Sequence, residues 1–327
     1  MTAVRIDAET QGGDADVRAD PAMGTTALPG RDALDRATLA ELSRKSDGPG
    51  LLRLAGHLAT IGLGMLAVAA AEPIWLKLPA MLALGFAWTT LFAPMHECVH
   101  ATPFASRRLN RLVGWLTGAA VGWNATYYRR FHAWPHRYTQ DPENDPELAL
   151  PKPADLRAYL IRLSGIPYYV MQMRDLWRCA TGGVAGLPFI PARGIAEIQR
   201  SAWAQIGLYG CIAAAAVAAG SWAPVVYWLL PMLIAQPLMR WILLAEHTGC
   251  SEDRNGLTNT RTTRTLWPVR FLMWNMPFHA EHHLYPSVPY HALPRVHALV
   301  KDRLAVLSEG YVEAHGDIRR DIAAGER

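Results

Sequence analysis

The sequence predicts an all-α integral membrane protein, with four transmembrane helices in two hairpins and a His-rich cap on the cytoplasmic side. Three observations carry this expectation. The 327 residues are 51% hydrophobic and only 18% charged, against about 25% charged in an ordinary soluble protein. Four apolar runs are long enough to cross about 30 Å of hydrocarbon. Twelve histidines are present, most of them between Met95 and His283. The composition excludes a disordered chain, which needs low hydrophobicity and high charge. The four cysteines, Cys98, Cys179, Cys211 and Cys250, make no CxxC and no disulfide framework. A net charge of +4, with no Lys/Arg run interleaved with aromatics on a polar face, leaves nucleic acid out of the expected partners.

Residues 1–48 read as a polar N-terminal tail, broken by Gly12, Gly13, Pro29 and Gly30. There is no apolar h-region behind a basic start, so no cleaved signal peptide is expected. Leu34, Leu39 and Leu42 are spaced for a short helix within 32–45. The main domain is expected over 49–310. Its first hairpin runs through 51–71 and 74–95, turning at Glu72 and Pro73. The second runs through 202–220 and 223–245, turning at Ser221 and Trp222. The turns are poor in Lys and Arg, whereas 101–200 is rich in Arg. The positive-inside rule therefore places the middle segment and both termini in the cytoplasm, in a membrane of bacterial inner (plasma) type. On that side the Asn124-Ala125-Thr126 triplet is no glycosylation site.

Between the hairpins, 109–123 is apolar but short, and Gly114, Gly118 and Gly122 lie four apart, which lets another helix approach closely. Residues 156–177 mix Tyr, Trp, Met and Arg as an interfacial amphipathic helix does. A closing helix is expected over 293–307, and a polar tail over 311–327.

The histidines carry the chemistry. His96 and His100 form HECVH at the cytoplasmic end of the second span, four apart and on one helix face. His247, in LLAEHTG, ends the fourth span. His132 and His136 lie in FHAWPHR between the hairpins, and His279, His282 and His283 form HAEHH in the cytoplasmic tail. The topology brings all four groups to one membrane face. Neutral imidazoles gathered in a partly apolar site are useful mainly as metal ligands. They are too many for one zinc, so two metals are expected; ligand type alone leaves iron, zinc, copper and nickel open. His57, His291, His297 and His315 are read as interfacial side chains.

On MHECVH, FHAWPHRYTQDPENDPEL, LLAEHTG and FHAEHHLYPSVP, the sequence resembles the membrane fatty acid desaturase superfamily, together with its hydroxylase relatives. The resemblance implies two transmembrane hairpins under a cytoplasmic cap and three His boxes with one extra His holding two iron ions. It implies insertion of a double bond into a lipid acyl chain, with O2 as co-substrate. The ligands it implies are His96, His100, His132, His136, His279, His282, His283 and, as the extra ligand, His247. No heme, flavin or iron–sulfur motif stands out, so electrons are expected from a separate ferredoxin, rubredoxin or cytochrome-type donor. An acyl-lipid or carotenoid-type hydroxylase on the same fold is the alternative.

One departure matters. The second box normally reads H-x-x-H-H, whereas Pro135 here precedes His136. Proline cannot ligate, and it disfavours a helical conformation at Trp134. One iron therefore lacks a ligand, with water, Glu246 or another carboxylate as candidates to replace it. Glu97 and Glu281 are read either as acceptors that orient imidazoles or as solvated helix residues. Asp141 and Asp145 are expected to fix a turn, and Arg240 to snorkel or pair with Glu246. Trp88, Trp123, Trp134 and Trp274 are read as interfacial, with a lipid-chain tunnel as the other possibility. HECVH also matches the HExxH zinc-protease pattern, with Glu97 as general base, but that reading leaves His132, His136 and His247 without a role. A non-enzymatic metal- or lipid-binding relative is the third class, and Pro135 is the feature that favours it.

Overall fold

A computed structural model describes residues 30–141, 144–149 and 152–325; most of the polar N-terminal stretch lies outside the described residues. In chain order the helices are α1 (Arg36–Leu42), α2 (Asp47–Ala70), α3 (Ile74–Thr89), α4 (Phe92–Val99), α5 (Arg107–Ala120), α6 (Ala125–Ala133), α7 (Pro135–Tyr138) and α8 (Leu156–Leu163). They continue as α9 (Ile166–Thr181), α10 (Ala192–Ala218), α11 (Leu230–Ala245), α12 (Trp267–Leu272), α13 (His279–Leu284), α14 (Leu293–Val300) and α15 (Tyr311–Ala324). Among the described residues the strands are one short parallel pair, β1 (Thr262–Thr263) against β2 (Leu307–Ser308).

Four segments are long and apolar enough to cross a membrane: α2, the run 74–99 through α3 and α4, α10, and the run 225–245 that ends in α11. They form the two expected hairpins. The inner run 74–99 is 61% buried and 225–245 is 44% buried, against 17% and 11% for α2 and α10. The outer helices keep their apolar side chains, such as Leu52, Leu66 and Val217, on the surface, where lipid rather than protein satisfies them. The inner helices pack on each other through Met81, Leu84, Met232 and Met239. These are the two helices that lead into HECVH and LLAEHTG, so the best-packed part of the bundle holds those histidines in place.

α10 begins at Ala192, about ten residues before the apolar run does. Its first turns are polar and stand outside that run, with Glu197 paired to Arg129 and Arg130 at 3.1 and 2.6 Å. The glycine spacing in α5 has a specific counterpart: a Cβ on Gly114 would stand 2.8 Å from the Cβ of Cys98. α5 thus lies directly against the helix that carries His96 and His100. Asn124, far from being a surface acceptor, is buried and caps α6 by accepting from the Tyr127 N–H at 2.9 Å.

Residues 156–177 form two helices rather than the expected one. Gly165 takes a left-handed conformation (φ 75°), and Pro167 follows in the first turn of α9; proline suits a helix start, where its missing N–H has no intrahelical partner anyway. Leu160, Ile166, Val170, Met173 and Trp177 remain exposed along this stretch. The closing helix is shorter than expected. α14 stops at Val300 and passes through a 3-10 turn into β2.

Much of the segment read as a polar C-terminal tail is α15, docked through the buried Ala314, His315 and Ile318. His315 accepts from the Tyr159 hydroxyl at 2.9 Å through Nδ1 and donates from Nε2 to the Trp241 carbonyl at 2.7 Å. It is a buried tie between α8, α11 and α15, not an interfacial side chain. Burial pushes its pKa down to about 4, so it is neutral and its two nitrogens serve as one donor and one acceptor. His57 is likewise buried. Its Nε2 meets the Ala87 carbonyl at 2.8 Å and its Nδ1 accepts from the Trp274 indole at 3.3 Å. A fully enclosed imidazole must find both partners inside the protein, and these two do.

Candidate metal centre

α4 presents His96 and His100, one helical turn apart. α6 and α7 present His132 and His136, and α13 adds His282; ligand-capable atoms of these five lie within 4.8 Å of one another. His247, just past α11, forms a second group with His279 and His283 of α13 under the same criterion. In the first group the Nε2 atoms of His132 and His136 are 3.0 Å apart. In the second, those of His247 and His279 are 3.2 Å apart. The groups adjoin, with the rings of His136 and His283 4.4 Å apart. All eight histidines singled out in the sequence are therefore brought together, and α13 serves both groups.

Most of these imidazoles lack the partners that buried nitrogens normally have. Both nitrogens of His96 and His282, Nε2 of His100 and His283, and Nδ1 of His136 and His279 are buried without a hydrogen bond. Each buried unsatisfied polar atom costs about 1–3 kcal/mol, so the cluster is expensive unless something accepts its lone pairs. Burial, reinforced by the other imidazoles, holds His100, His136, His279 and His283 well below the usual histidine range. Burial alone pushes His132 down to about 3. These rings are neutral at physiological pH, the form that ligates metal. The donor set fits metal binding, with five histidines in one group and three in the other.

The smaller group has Glu246 beside it, with its Oε2 3.5 Å from His279 Nε2. Pro135 does not break the backbone as expected. Trp134 is helical (φ −76°, ψ −47°) and Pro135 occupies the first turn of α7, the position where a helix tolerates proline. The chain therefore still delivers His136 to the site four residues after His132.

Carboxylates lie close behind the rings. Glu97 is fully buried, which excludes the solvated reading. Its Oε2 accepts from Thr102 Oγ1 at 2.9 Å and from the Tyr290 N–H at 3.2 Å. Its Oε1 lies 3.7 Å from His282 Nδ1 and 3.9 Å from His96 Nδ1. A carboxylate held by two donors inside the protein is placed to orient imidazoles rather than to deprotonate water for a peptide. Glu281, also fully buried, bridges His297 Nδ1 and Thr262 Oγ1, both at 2.5 Å. His297 is thereby a tie that anchors α13 and not an interfacial residue, whereas His291 stays half-buried.

Several supporting residues escaped the sequence. The Tyr128 ring stacks on His132 at 5.0 Å and 9°, Thr139 Oγ1 is 3.3 Å from His283 Nδ1, and Thr260 Oγ1 is 3.4 Å from His247 Nδ1. Tyr128 lies four residues before His132, a spacing that signals a shared helix face; the threonines carry no comparable signal. Asp145 Oδ2 accepts from the Gln140 N–H at 2.9 Å and the Asp145 N–H bonds to the Asp141 carbonyl at 2.9 Å, closing the turn expected there. Neither aspartate belongs to the histidine groups.

The four tryptophans considered for a tunnel pack elsewhere. Trp274 is fully buried against His57, Trp123 donates to Tyr168, Trp88 donates to the Tyr227 carbonyl, and Trp134 packs against Tyr138. An apolar cavity of about 900 Å³ is instead lined by Trp222, Trp228, Tyr169, Met173 and Met232, between α9, α10 and the run leading into α11.

Residues 73–313, which include every histidine of both groups, match the model of the fatty acid desaturase family. The chain belongs to that family. It is similar to an sn-1 oleoyl-lipid 12-desaturase of Picosynechococcus sp., 24% identical over 259 residues that cover 73% of each protein. It is also similar to a dihydrorhizobitoxine desaturase of Bradyrhizobium elkanii, 25% identical over 239 residues, covering 66% of this chain and 65% of that one. Membership of the desaturase family makes the chain an oxidoreductase at family level, and with its four apolar helices it identifies a membrane protein.

Proposed function

We propose that the protein is a membrane-bound, O2-dependent di-iron oxidoreductase acting on lipid acyl chains, most simply a fatty acid desaturase. The observation that carries this reading is the pair of adjoining histidine groups, most of whose members are buried and have nitrogens without hydrogen bonds. His96, His100, His132, His136 and His282 would hold one iron, and His247, His279 and His283 the other. The bound pair would supply the oxidising power, drawn from O2, that removal of hydrogen from an unactivated C–H bond requires.

This chain's residues do the rest. α4, α6, α7 and α13 hold the imidazoles neutral and in place, so little reorganisation is needed on metal binding. Glu97 accepts from the protein and faces His96 and His282, as a carboxylate that orients ligands does. The enclosed position of the rings keeps water from the reacting centre. The cavity bounded by Trp222, Trp228 and Met232 is of the size and apolar character that suit a lipid chain. The histidine side and both termini would face the cytoplasm of a bacterial inner membrane, where a separate ferredoxin, rubredoxin or cytochrome-type protein would deliver electrons.

The test is iron per chain, by elemental analysis of detergent-purified protein, followed by lipid analysis of expressing cells. About two irons per chain and new acyl double bonds are expected. One iron, or zinc alone, would overturn the di-iron reading.

A further inference from the structure

Arg240 lies inside the apolar run 225–245, where an unpaired charge is costly. It neither pairs with Glu246 nor ends among carboxylates. Its guanidinium sits 3.7 Å over the Tyr168 ring, and its buried Nε and Nη2 have no hydrogen-bond partner. Among the described residues no carboxylate oxygen comes within 4.0 Å of it. One turn earlier on the same face of α11, Gln236 is 2% exposed. Its Oε1 accepts from the Tyr169 hydroxyl at 3.2 Å, while its Nε2 is buried without an acceptor.

A third donor comes from α8, which packs directly on α11. Arg162, in the last turn of that helix, also lacks a carboxylate within 4.0 Å among the described residues. Burial, and then the positive charge of Arg240, hold its guanidinium below the usual range. The turn that joins α8 to α9 is built to come close here: a Cβ on Gly165 would stand 2.4 Å from Gln236 Cγ and 3.8 Å from Arg240 Cγ. Two guanidinium groups that repel each other and a buried amide N–H beside them form a donor-rich cluster, with the Glu246 carboxylate near enough to attract Arg240 but not to bond it. Such a cluster is stable when an anion with several acceptor oxygens completes it.

The cluster also adjoins the apolar cavity. Tyr169, which holds Gln236, and Met232, one turn before it on α11, both line that cavity. We propose that Arg240, Gln236 and Arg162 bind the anionic head, carboxylate or phosphate, of a membrane lipid whose apolar chain occupies the cavity beside them.

The test is equilibrium binding of radiolabelled oleate and oleyl alcohol, which differ only in the head, to the full chain in neutral detergent. Iron content is measured on the same samples. The wild type is expected to hold oleate about tenfold more tightly than oleyl alcohol, the effect of one or two charge-assisted hydrogen bonds. Arg240→Gln and, separately, Arg162→Gln are expected to abolish that preference with iron unchanged. Arg162→Gln, on the half-buried α8, keeps the test open if Arg240→Gln fails to fold. Equal binding of the two lipids by the wild type would overturn the proposal. So would inorganic phosphate displacing oleate at similar concentrations, which would assign the cluster to a free anion. Loss of iron in both variants would likewise overturn it, by making the arginines part of the metal centre's framework. An oleate preference in protein that holds no iron would sink the redox reading and leave this one standing.

Discussion

His282 and His283 are neighbours in the chain, yet they serve different histidine groups, with their rings 5.9 Å apart and 82° between their planes. On α13 the 100° step between successive residues separates them, while His279 and His283, four apart, stay on one face. One turn of helix thus reaches into both halves of the centre.

The two positions should therefore fail differently. His282→Ala leaves four histidines in the larger group, and iron is expected to stay near two per chain. His283→Ala leaves His247 and His279 alone, and iron is expected to fall to about one. Elemental analysis of the two variants distinguishes them; equal losses would mean that the groups act as a single site.

Pro135 precedes His136 at the start of α7, and the group of His247, His279 and His283 is the smaller of the two. Pro135→His is expected to slow removal of the second metal by a chelator by about tenfold or more. Unchanged retention would show that Glu246 or water already completes that group.

Glu97→Gln keeps the side-chain shape but removes the carboxylate that faces His96 and His282. Metal affinity, measured by chelator competition, is expected to fall about 10–100-fold. Metal binding equal to the wild type would confine Glu97 to holding Thr102 and Tyr290.

Gly114→Val should force α4 and α5 apart, because any Cβ there meets Cys98 at 2.8 Å. A loss of about 1–3 kcal/mol is expected, read as a lower thermal unfolding temperature, with iron binding impaired through the displaced His96 and His100. An unchanged unfolding temperature would mean that the two helices are not tightly packed.

His315 gives a pH dependence outside the metal centre. Its folded pKa, lowered to about 4, is below its unfolded value near 6.5, so the folded state binds fewer protons between these limits. Its contribution is complete above about pH 6.5 and is lost as pH falls towards 4. Thermal unfolding from pH 7 to 4.5 should decline less steeply in His315→Gln than in the wild type. Parallel declines would show that other groups carry the acid sensitivity.

The sequence by itself determined the class, the two hairpins and the histidines, because each depends on a pattern that is local or periodic. Apolar runs of fixed length mark the spans, i, i+4 spacing marks HECVH, and arginine density marks one side of the membrane. It also singled out Pro135, since a ring that cannot ligate is legible without any geometry.

Tertiary structure decided how those residues divide. Which three histidines form the smaller group depends on how α13 sits between α4, α7 and the end of α11, and no spacing encodes that. Proline at a helix start removes no intrahelical hydrogen bond, so whether it interrupts the helix depended on where α7 begins. His57, His297 and His315 became internal ties because distant helices closed over them and supplied their hydrogen-bond partners. Arg240, a snorkelling residue by its place in the span, is instead stacked on Tyr168 beside Gln236, where only the packing of α8 and α9 on α11 gathers unpaired donors into one cluster.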